Sequence, residues 1–344
     1  MLIFNNKSSN FNFKEIMSPK EVLKYIPSNY EIYNKKNLSI NSIKNILHGS
    51  KNKFIVVLGF SYFNDTSLII EYANRLKLLA DRLHNELEIV LLLYFEKNII
   101  NKFCNFKNKQ SKKYFYNDIN LSISNLRKLL LDINIIGLPV GFEFSDIFIH
   151  QYIYDLISWC SIPHHIESNN LNYKLASGFE FPVGFKNFSN NCLDCLIKLI
   201  KLSYKKYNFL SLNNRGDISL IYTEGNKNCH AILEYKKDDN INYFNVNKYF
   251  NYSNKLKMLP KFMIELNSLN LIKNFENQKN IIFDISKQIA SRNKYIFGII
   301  MKINFSNDIK KKNFSINNLI GLEKSVFLLE IIADAVCRSR NKYK

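Results

Sequence analysis

The sequence lacks any apolar run of about 18 or more residues without charges, which a membrane-spanning helix needs. Its first four residues are followed by Asn and Lys, not by the small residues of a signal-peptide cleavage site. Cysteine is scarce, with six scattered through 344 residues, so disulfides are not expected. These absences predict a cytoplasmic protein with no membrane partner.

A complete set of zinc ligands is also missing. Cys192 and Cys195 could form half of a zinc site, but no second ligand pair stands at the spacing of a zinc finger. Two cysteines one turn apart on an amphipathic helix are the simpler interpretation.

Acidic residues are few beside basic ones, 29 against 48, which gives a formal net charge of +19. Clustered Lys and Arg would favour a polyanion, because they release counterions from phosphates. Here the basic residues are dispersed and accompany many Asn, Ile, Phe and Tyr, which A- and T-rich codons encode. A nucleotide-biased genome, as in a long-term bacterial endosymbiont, explains this charge. We therefore expect no nucleic-acid partner.

What the sequence does contain is a regular alternation of apolar runs of strand length and amphipathic helices. Such strands, joined by crossover helices, are typical of a parallel sheet buried on both faces. Eight units predict a (β/α)8 TIM barrel over residues 51–344. The strand-length runs lie at 54–59, 89–95, 140–144, 161–166, 182–185, 208–212, 262–266 and 296–301.

Two further features accompany the predicted barrel. Residues 1–50 form an N-terminal extension with helices, because Ser18, Pro19 and Glu21 give a helix start signal. Alternating apolar residues around a turn at 213–233 predict a β-hairpin inserted after strand six. Residues 151–158 are predicted to be helical.

Several short strings follow one another at characteristic separations. They are SPKEVLKY (18–25), KFIVVLGFSYFND (53–65), ELEIVLLLYFEK (86–97), FPVGFKN (181–187) and CHAIL (229–233). In this order and at these separations, they resemble class I DAHP synthase (phospho-2-dehydro-3-deoxyheptonate aldolase). The resemblance implies a transferase of the shikimate route to aromatic amino acids, which condenses phosphoenolpyruvate with erythrose 4-phosphate. The family uses a divalent metal such as Mn or Fe to polarise the aldehyde.

The family's four metal-binding positions all hold other residues here. Ser61 replaces Cys, Ser268 replaces His, Lys302 replaces Glu and Asn318 replaces Asp. A Ser hydroxyl is a poor substitute for a thiolate. A Lys about 4 Å from a cation repels it by roughly several kcal/mol. We therefore expect no metal and no other cofactor.

The family's substrate-binding cations are mostly lost as well. Lys97 and Lys186 remain, and the resemblance implies that they contact substrate phosphate or carboxylate. His165 replaces an Arg and is expected to be a weak substrate contact. Leu92 and Glu234 replace two further Arg residues. Each charge-assisted hydrogen bond contributes roughly 1.5–3 kcal/mol, so phosphoenolpyruvate and erythrose 4-phosphate are expected to bind weakly at most.

Part of the family's effector pocket is kept, and it overlaps a subunit interface. His150 and Glu180 depart from the family pattern. Plain structural packing is the alternative to a retained effector site. The matching residues are Phe144, Asp146, Gln151, Phe209 and Ser211.

These substitutions predict a family member that is catalytically impaired or inactive on its own. Three alternatives stay open: an active, divergent DAHP synthase; a non-catalytic subunit that assembles with an intact paralogue; and a decaying gene product. We expect the chain to form a homo- or hetero-oligomer.

Overall fold

The computed structural model describes most of the chain. The described residues are 15–60, 66–94, 112–144, 148–164, 169–187, 193–235, 251, 253–255, 258, 261–266, 275–303 and 320–341.

Eight parallel strands close into a barrel, which confirms the predicted (β/α)8 fold. Closure is visible at the first strand, where Val56 lies opposite Ile89 on one side and Ile299 on the other. In order around the barrel, the strands are β1 (Phe54–Phe60), β10 (Ile296–Ile303), β9 (Phe262–Leu266), β8 (Cys229–Glu234), β5 (Val183–Asn187), β4 (Trp159–His164), β3 (Val140–Glu143) and β2 (Leu87–Tyr94).

The described helices precede and surround the barrel. The first begins at a capping box, in which Ser18 and Glu21 satisfy each other's backbone N–H groups. None is long and apolar enough to cross a membrane. They are α1 (Pro19–Tyr25), α2 (Tyr30–His48), α3 (Thr66–Arg82), α4 (Lys112–Ile136), α5 (Asn169–Gly178), α6 (Leu193–Ser203), α7 (Phe275–Ala290) and α8 (Ile320–Asn341).

Buried apolar residues form two clusters. The larger lies between the strands and the surrounding helices. The smaller fills the barrel interior and includes Trp159, Phe297 and Leu92 together with Ile43 and Ile46 of α2. Helix α2 therefore packs against the barrel interior, and its last turn lies at the floor, where the strands begin.

The hairpin exists, but its predicted position after strand six is wrong. Strands β6 (Tyr207–Leu212) and β7 (Ile218–Thr223) pair antiparallel outside the barrel, and the sixth barrel strand is β8. In β6 and β7, alternate residues such as Leu210 and Leu220 are exposed, as one-sided strands require, whereas β8 is buried almost throughout. The short apolar run at 208–212 was too short to distinguish a one-sided hairpin strand from a fully buried barrel strand.

Two smaller expectations also need correction. Residues 149–156 form two short 3₁₀ turns instead of the predicted helix, and the break falls at Ile153, whose φ of −139° is not helical. Cys160, Cys229 and Cys337 are free thiols, but Cys195 is disulfide-bonded.

Candidate functional site

The carboxyl ends of three barrel strands bring one lysine and two glutamates together in the barrel mouth. Lys186 of β5 lies with its Nζ 2.6 Å from a carboxylate oxygen of Glu265 on β9. It also forms an ion pair with Glu143, the last residue of β3. Ser161 of β4 donates a hydrogen bond of 3.2 Å to Glu143. The predicted site residue Lys186 is thus at the mouth, as the barrel topology requires.

This lysine is fully buried and remains charged. Burial alone would lower the pKa of Lys186, but the charges of Glu265 and Glu143 and their hydrogen bonds outweigh it and raise the pKa. One ammonium between two carboxylates gives the trio a formal charge of −1. The arrangement therefore satisfies Lys186 internally, without a bound anion.

The neighbouring strand ends add no positive side chain that the structure describes. Leu92 is completely buried inside the barrel. Glu234 ends β8 directly opposite Glu265 and adds another acidic group. The backbone of Lys302 lies near the end of β10, opposite Gly59 of β1, and its side chain is outside the described part of the structure. Among the described residues, no group of three or more His, Cys, Asp or Glu could hold a metal ion.

The remaining predicted site residues lie outside the described part of the chain. They are Lys97, His165, Ser61, Ser268, Asn318 and Asp146.

Glu143 and Glu265 were missed in the sequence, although a signal for them exists. Each is a single carboxylate near the end of an otherwise apolar strand, in VGFE and FMIEL. A charged residue there costs free energy unless it is paired. An isolated acid at a barrel strand's C-terminal end therefore marks the mouth.

Below the mouth, the barrel interior holds a neutral histidine. Trp159 Nε1 donates to His230 Nε2 over 3.3 Å, and His230 Nδ1 lies 3.3 Å from the carbonyl oxygen of Asn228. The imidazole therefore accepts at Nε2 and donates at Nδ1. Burial lowers the pKa of His230 to about 4. Phe297 contacts the same ring edge-on, with centroids 4.9 Å apart.

The expected effector residues border a second cavity, of about 670 Å³, outside the barrel. Gln151 and Phe209 line it, and Gln151 donates a hydrogen bond to the carbonyl oxygen of Leu212. Phe144 stacks on Phe179, with ring centroids 5.6 Å apart. Ser211 lies farther along β6, opposite Ser219. Two of the four described members of this set thus line the cavity, and Phe144 contacts its wall through Phe179.

This cavity already contains an internal ion pair and several rings. Lys36 is buried, and its Nζ lies 2.5 Å from the carboxylate of Glu180, which is half exposed. His150 packs edge-on against Phe179, and Phe179 stacks on Phe181. Polar and aromatic groups of the chain itself therefore make many of the contacts that a small amphiphilic ligand would make.

Comparisons with known proteins agree with this architecture. The family model described as "DAHP synthetase I family" matches residues 29–325. The Phe-sensitive phospho-2-dehydro-3-deoxyheptonate aldolase of Escherichia coli is 33% identical over 291 residues, covering 84% of this chain and 83% of that protein. A phospho-2-dehydro-3-deoxyheptonate aldolase of Haemophilus influenzae is 30% identical and covers 95% and 93% of the two chains.

A solved structure resembles the whole molecule. The phospho-2-dehydro-3-deoxyheptonate aldolase of Francisella tularensis superposes with a TM-score of 0.84 at 27% identity, covering 96% of this chain and 99% of that one.

Proposed function

Because the chain belongs to the DAHP synthetase I family, we propose that it is a member of the aromatic amino acid pathway that, on its own, is catalytically impaired or inactive. The family reaction would join phosphoenolpyruvate and erythrose 4-phosphate and release phosphate. Both substrates are anions, so the reaction depends on cations in the barrel mouth.

The observation that carries this proposal is the pairing of Lys186. Its ammonium is held by Glu143 and Glu265, and the three groups together are formally negative. A substrate phosphate that reached Lys186 would have to displace a carboxylate in a nearly dry site. Leaving a buried carboxylate without its partner costs about 3–5 kcal/mol. Leu92, where the family has Arg, contributes no charge to offset that cost.

The family's metal does not fit the residues of this chain. Ser61, Ser268, Lys302 and Asn318 offer no thiolate, imidazole or carboxylate at the four positions. We therefore assign no step of a reaction to a bound metal in this chain. Lys97 and His165 remain as proposed weak contacts to substrate anions.

The ion pair between Lys36 and Glu180 favours a packing role for the second cavity over a role in feedback control. The ammonium of Lys36 and the carboxylate of Glu180 already neutralise each other there. An amino acid effector would need those charges for its own carboxylate and ammonium groups. We accordingly assign Phe144, Asp146, Gln151, Phe209 and Ser211 to packing and subunit contact.

A role in assembly accounts for a preserved barrel with a changed mouth. The chain would act in the cytoplasm as a homo-oligomer, or as a non-catalytic subunit beside an intact relative. The outer face of the hairpin supports this, because Leu210, Ile218, Leu220 and Tyr222 are each at least half exposed.

The deciding experiment is a coupled assay of the purified chain with both substrates and, in turn, Mn²⁺, Fe²⁺, Co²⁺ and Zn²⁺. The loss of several charge-assisted contacts predicts turnover at least about 1,000-fold below that of the Phe-sensitive Escherichia coli relative, assayed in parallel. Turnover within tenfold of that relative would overturn the proposal and favour an active, divergent enzyme.

A repaired variant separates the metal from the substrate contacts. Ser61→Cys, Ser268→His, Lys302→Glu and Asn318→Asp together should restore binding of one metal ion, measured by elemental analysis, but little turnover. Leu92 and Glu234 would still leave the phosphates poorly held. Full activity of this variant would show that the metal positions alone limit the reaction.

A further inference from the structure

A third cavity, of about 600 Å³, lies at the opposite end of the barrel from the mouth. It is formed where β1, β9 and β10 begin, because the segments just before these strands line it together with the ends of α2 and α8. Phe54, Ile296 and Phe297 are among its apolar residues. Six basic residues also line it: Lys51, Lys53, Lys261, Arg292, Lys294 and Arg340.

The charge of this floor cavity is strongly one-sided. None of the described residues that line it is Asp or Glu. The neighbouring carboxylate is Glu86, whose oxygen lies 3.5 Å from Arg340. The described lining of this concave space thus carries six basic side chains and no acidic one. Such a concentration of like charge favours a multiply charged anion.

Three of the cations are held in place by neutral acceptors. Lys261 Nζ donates to the carbonyl oxygen of Ile46 over 3.2 Å, and Arg292 Nε donates to that of Ser339 over 2.7 Å. Arg340 Nε donates to the carbonyl oxygen of Asn52 over 3.0 Å. These hydrogen bonds hold the three cationic groups in position at the cavity wall. Burial lowers the pKa of Lys261, as expected for a partly buried ammonium.

The backbone conformation of Arg292 is a second, independent indication of a ligand site. Arg292 has a φ of 61°, and it is the one residue other than glycine with a positive φ in the described part of the chain. It follows the end of α7, where a glycine would take this left-handed conformation without a steric penalty. A nucleotide-biased genome accounts for many lysines, but it does not account for an arginine at a position that favours glycine.

We propose that the floor cavity binds a small organic polyphosphate, with its phosphates on the basic residues and its less polar body toward Phe54, Ile296 and Phe297. The volume lies within the range of small-molecule sites. A concave cavity of this size suits a small ligand better than a nucleic-acid strand, which needs an extended basic surface. The cavity lies at the far end of the barrel from Lys186 and is independent of the activity proposed for the mouth.

The single tryptophan provides an internal reporter of binding. Phe297 lines the cavity and contacts His230, and His230 accepts a hydrogen bond from Trp159. A ligand that shifts Phe297 should therefore change Trp159 fluorescence. Isothermal titration calorimetry gives a second, independent measure of affinity.

The test titrates the full chain with ATP and, separately, with inorganic tripolyphosphate at low ionic strength. Saturable binding of one equivalent of either probe is expected, and tighter binding of ATP would show that the organic body contributes. Arg292→Gly removes the guanidinium and relieves the backbone, so its thermal midpoint should not fall while its affinity falls about tenfold. The double variant Arg292→Gly/Lys261→Met should lose about 100-fold.

Lys128→Met is the matched control, because it removes one exposed lysine of α4, outside the cavity lining. It should bind both probes as the unmodified chain does. Three results would overturn the proposal: no saturable binding, equal losses in Lys128→Met and Arg292→Gly, or displacement of ATP by phosphoenolpyruvate, which would place the ligand in the mouth. Tighter binding of duplex RNA than of ATP through Arg292 would overturn it as well.

Discussion

Lys186 and its two carboxylates act as one unit, so removing one member affects the other two. In Lys186→Met, the buried Glu265 and its neighbour Glu143 would both lose the ammonium that they contact. We expect the free energy of unfolding to fall by about 3–5 kcal/mol, measured by urea denaturation at pH 7. The double variant Lys186→Met/Glu265→Leu should recover part of this loss, since it also removes one of the two carboxylates that the ammonium had stabilised.

Lys128→Met is again the control, and it should stay within about 0.5 kcal/mol of the parent. If Lys186→Met were equally mild, the trio would be open to water, and the argument that it resists an incoming phosphate would fail.

His230 makes stability depend on pH in a definite window. Its folded pKa is about 4, below the ordinary value of 6.5, because burial disfavours the charged ring. Between these values the unfolded chain binds a proton that the folded chain does not, so stability falls as pH falls from 6.5 to 4. The difference of 2.5 units corresponds to roughly 3 kcal/mol in full.

The measurement compares the parent with His230→Gln by urea denaturation at several pH values from 7.5 to 4.5. Gln does not titrate, so the parent should lose more stability than the variant as pH falls. Parallel pH dependences in the two proteins would show that His230 gains its proton as readily in the folded state.

At the scale of elements, the link between the hairpin and β8 depends on a glycine. Gly225 has a φ of +88°, and a Cβ there would lie 2.3 Å from the carbonyl oxygen of Tyr204. Gly216, at the hairpin turn, has a similar φ of +86° but nothing within 4 Å. The two positions share one backbone conformation and differ in space.

Gly216→Ala should therefore cost about 1 kcal/mol for the left-handed conformation alone. Gly225→Ala should cost clearly more, because backbone must move away from the added methyl group. Thermal and urea unfolding of the two variants test this directly. Equal losses would mean that the Tyr204 segment yields easily and does not fix the start of β8.

The elements also show what sequence can predict. Strands β1 and β2 were located within two residues, because nearly every position is apolar, as is typical of a buried parallel strand. The assignment was wrong for the short run 208–212, because such a run fits a barrel strand and a hairpin strand equally well. This run is a hairpin strand, and the sixth barrel strand is β8. At the candidate site, Lys186 was predicted from the string FPVGFKN. Its pairing with Glu143 and Glu265 was not predicted, because it joins residues far apart in the sequence, which no local pattern encodes.

At the scale of the whole molecule, the two ends of the barrel differ in charge. The described mouth brings Glu143, Glu234 and Glu265 around Lys186, whereas the floor gathers six basic residues around one cavity. Among the described residues, this distribution of charge is the reverse of what anionic substrates at the mouth need. The net charge of +19 therefore says little about the mouth, because its described charges are mainly acidic.

The last prediction concerns assembly through the side of the barrel, where the hairpin lies. On the hairpin, Leu210 lies directly opposite Leu220, and their exposures are 68% and 51%. Exposed apolar side chains grouped on one face mark an association surface. Light scattering after gel filtration should show a dimer or larger for the parent and a monomer for Leu210→Lys/Leu220→Glu. Opposite charges across the strands keep the hairpin paired, so folding should be preserved.

Leu78→Lys is the control for this variant, since Leu78 is 74% exposed on α3, away from the hairpin. It should leave the parent's mass unchanged. A monomeric parent that also fails to co-purify with an intact family member would remove assembly as the reason for a preserved barrel. Early decay of the gene would then explain best why the core packing has survived while the mouth has changed.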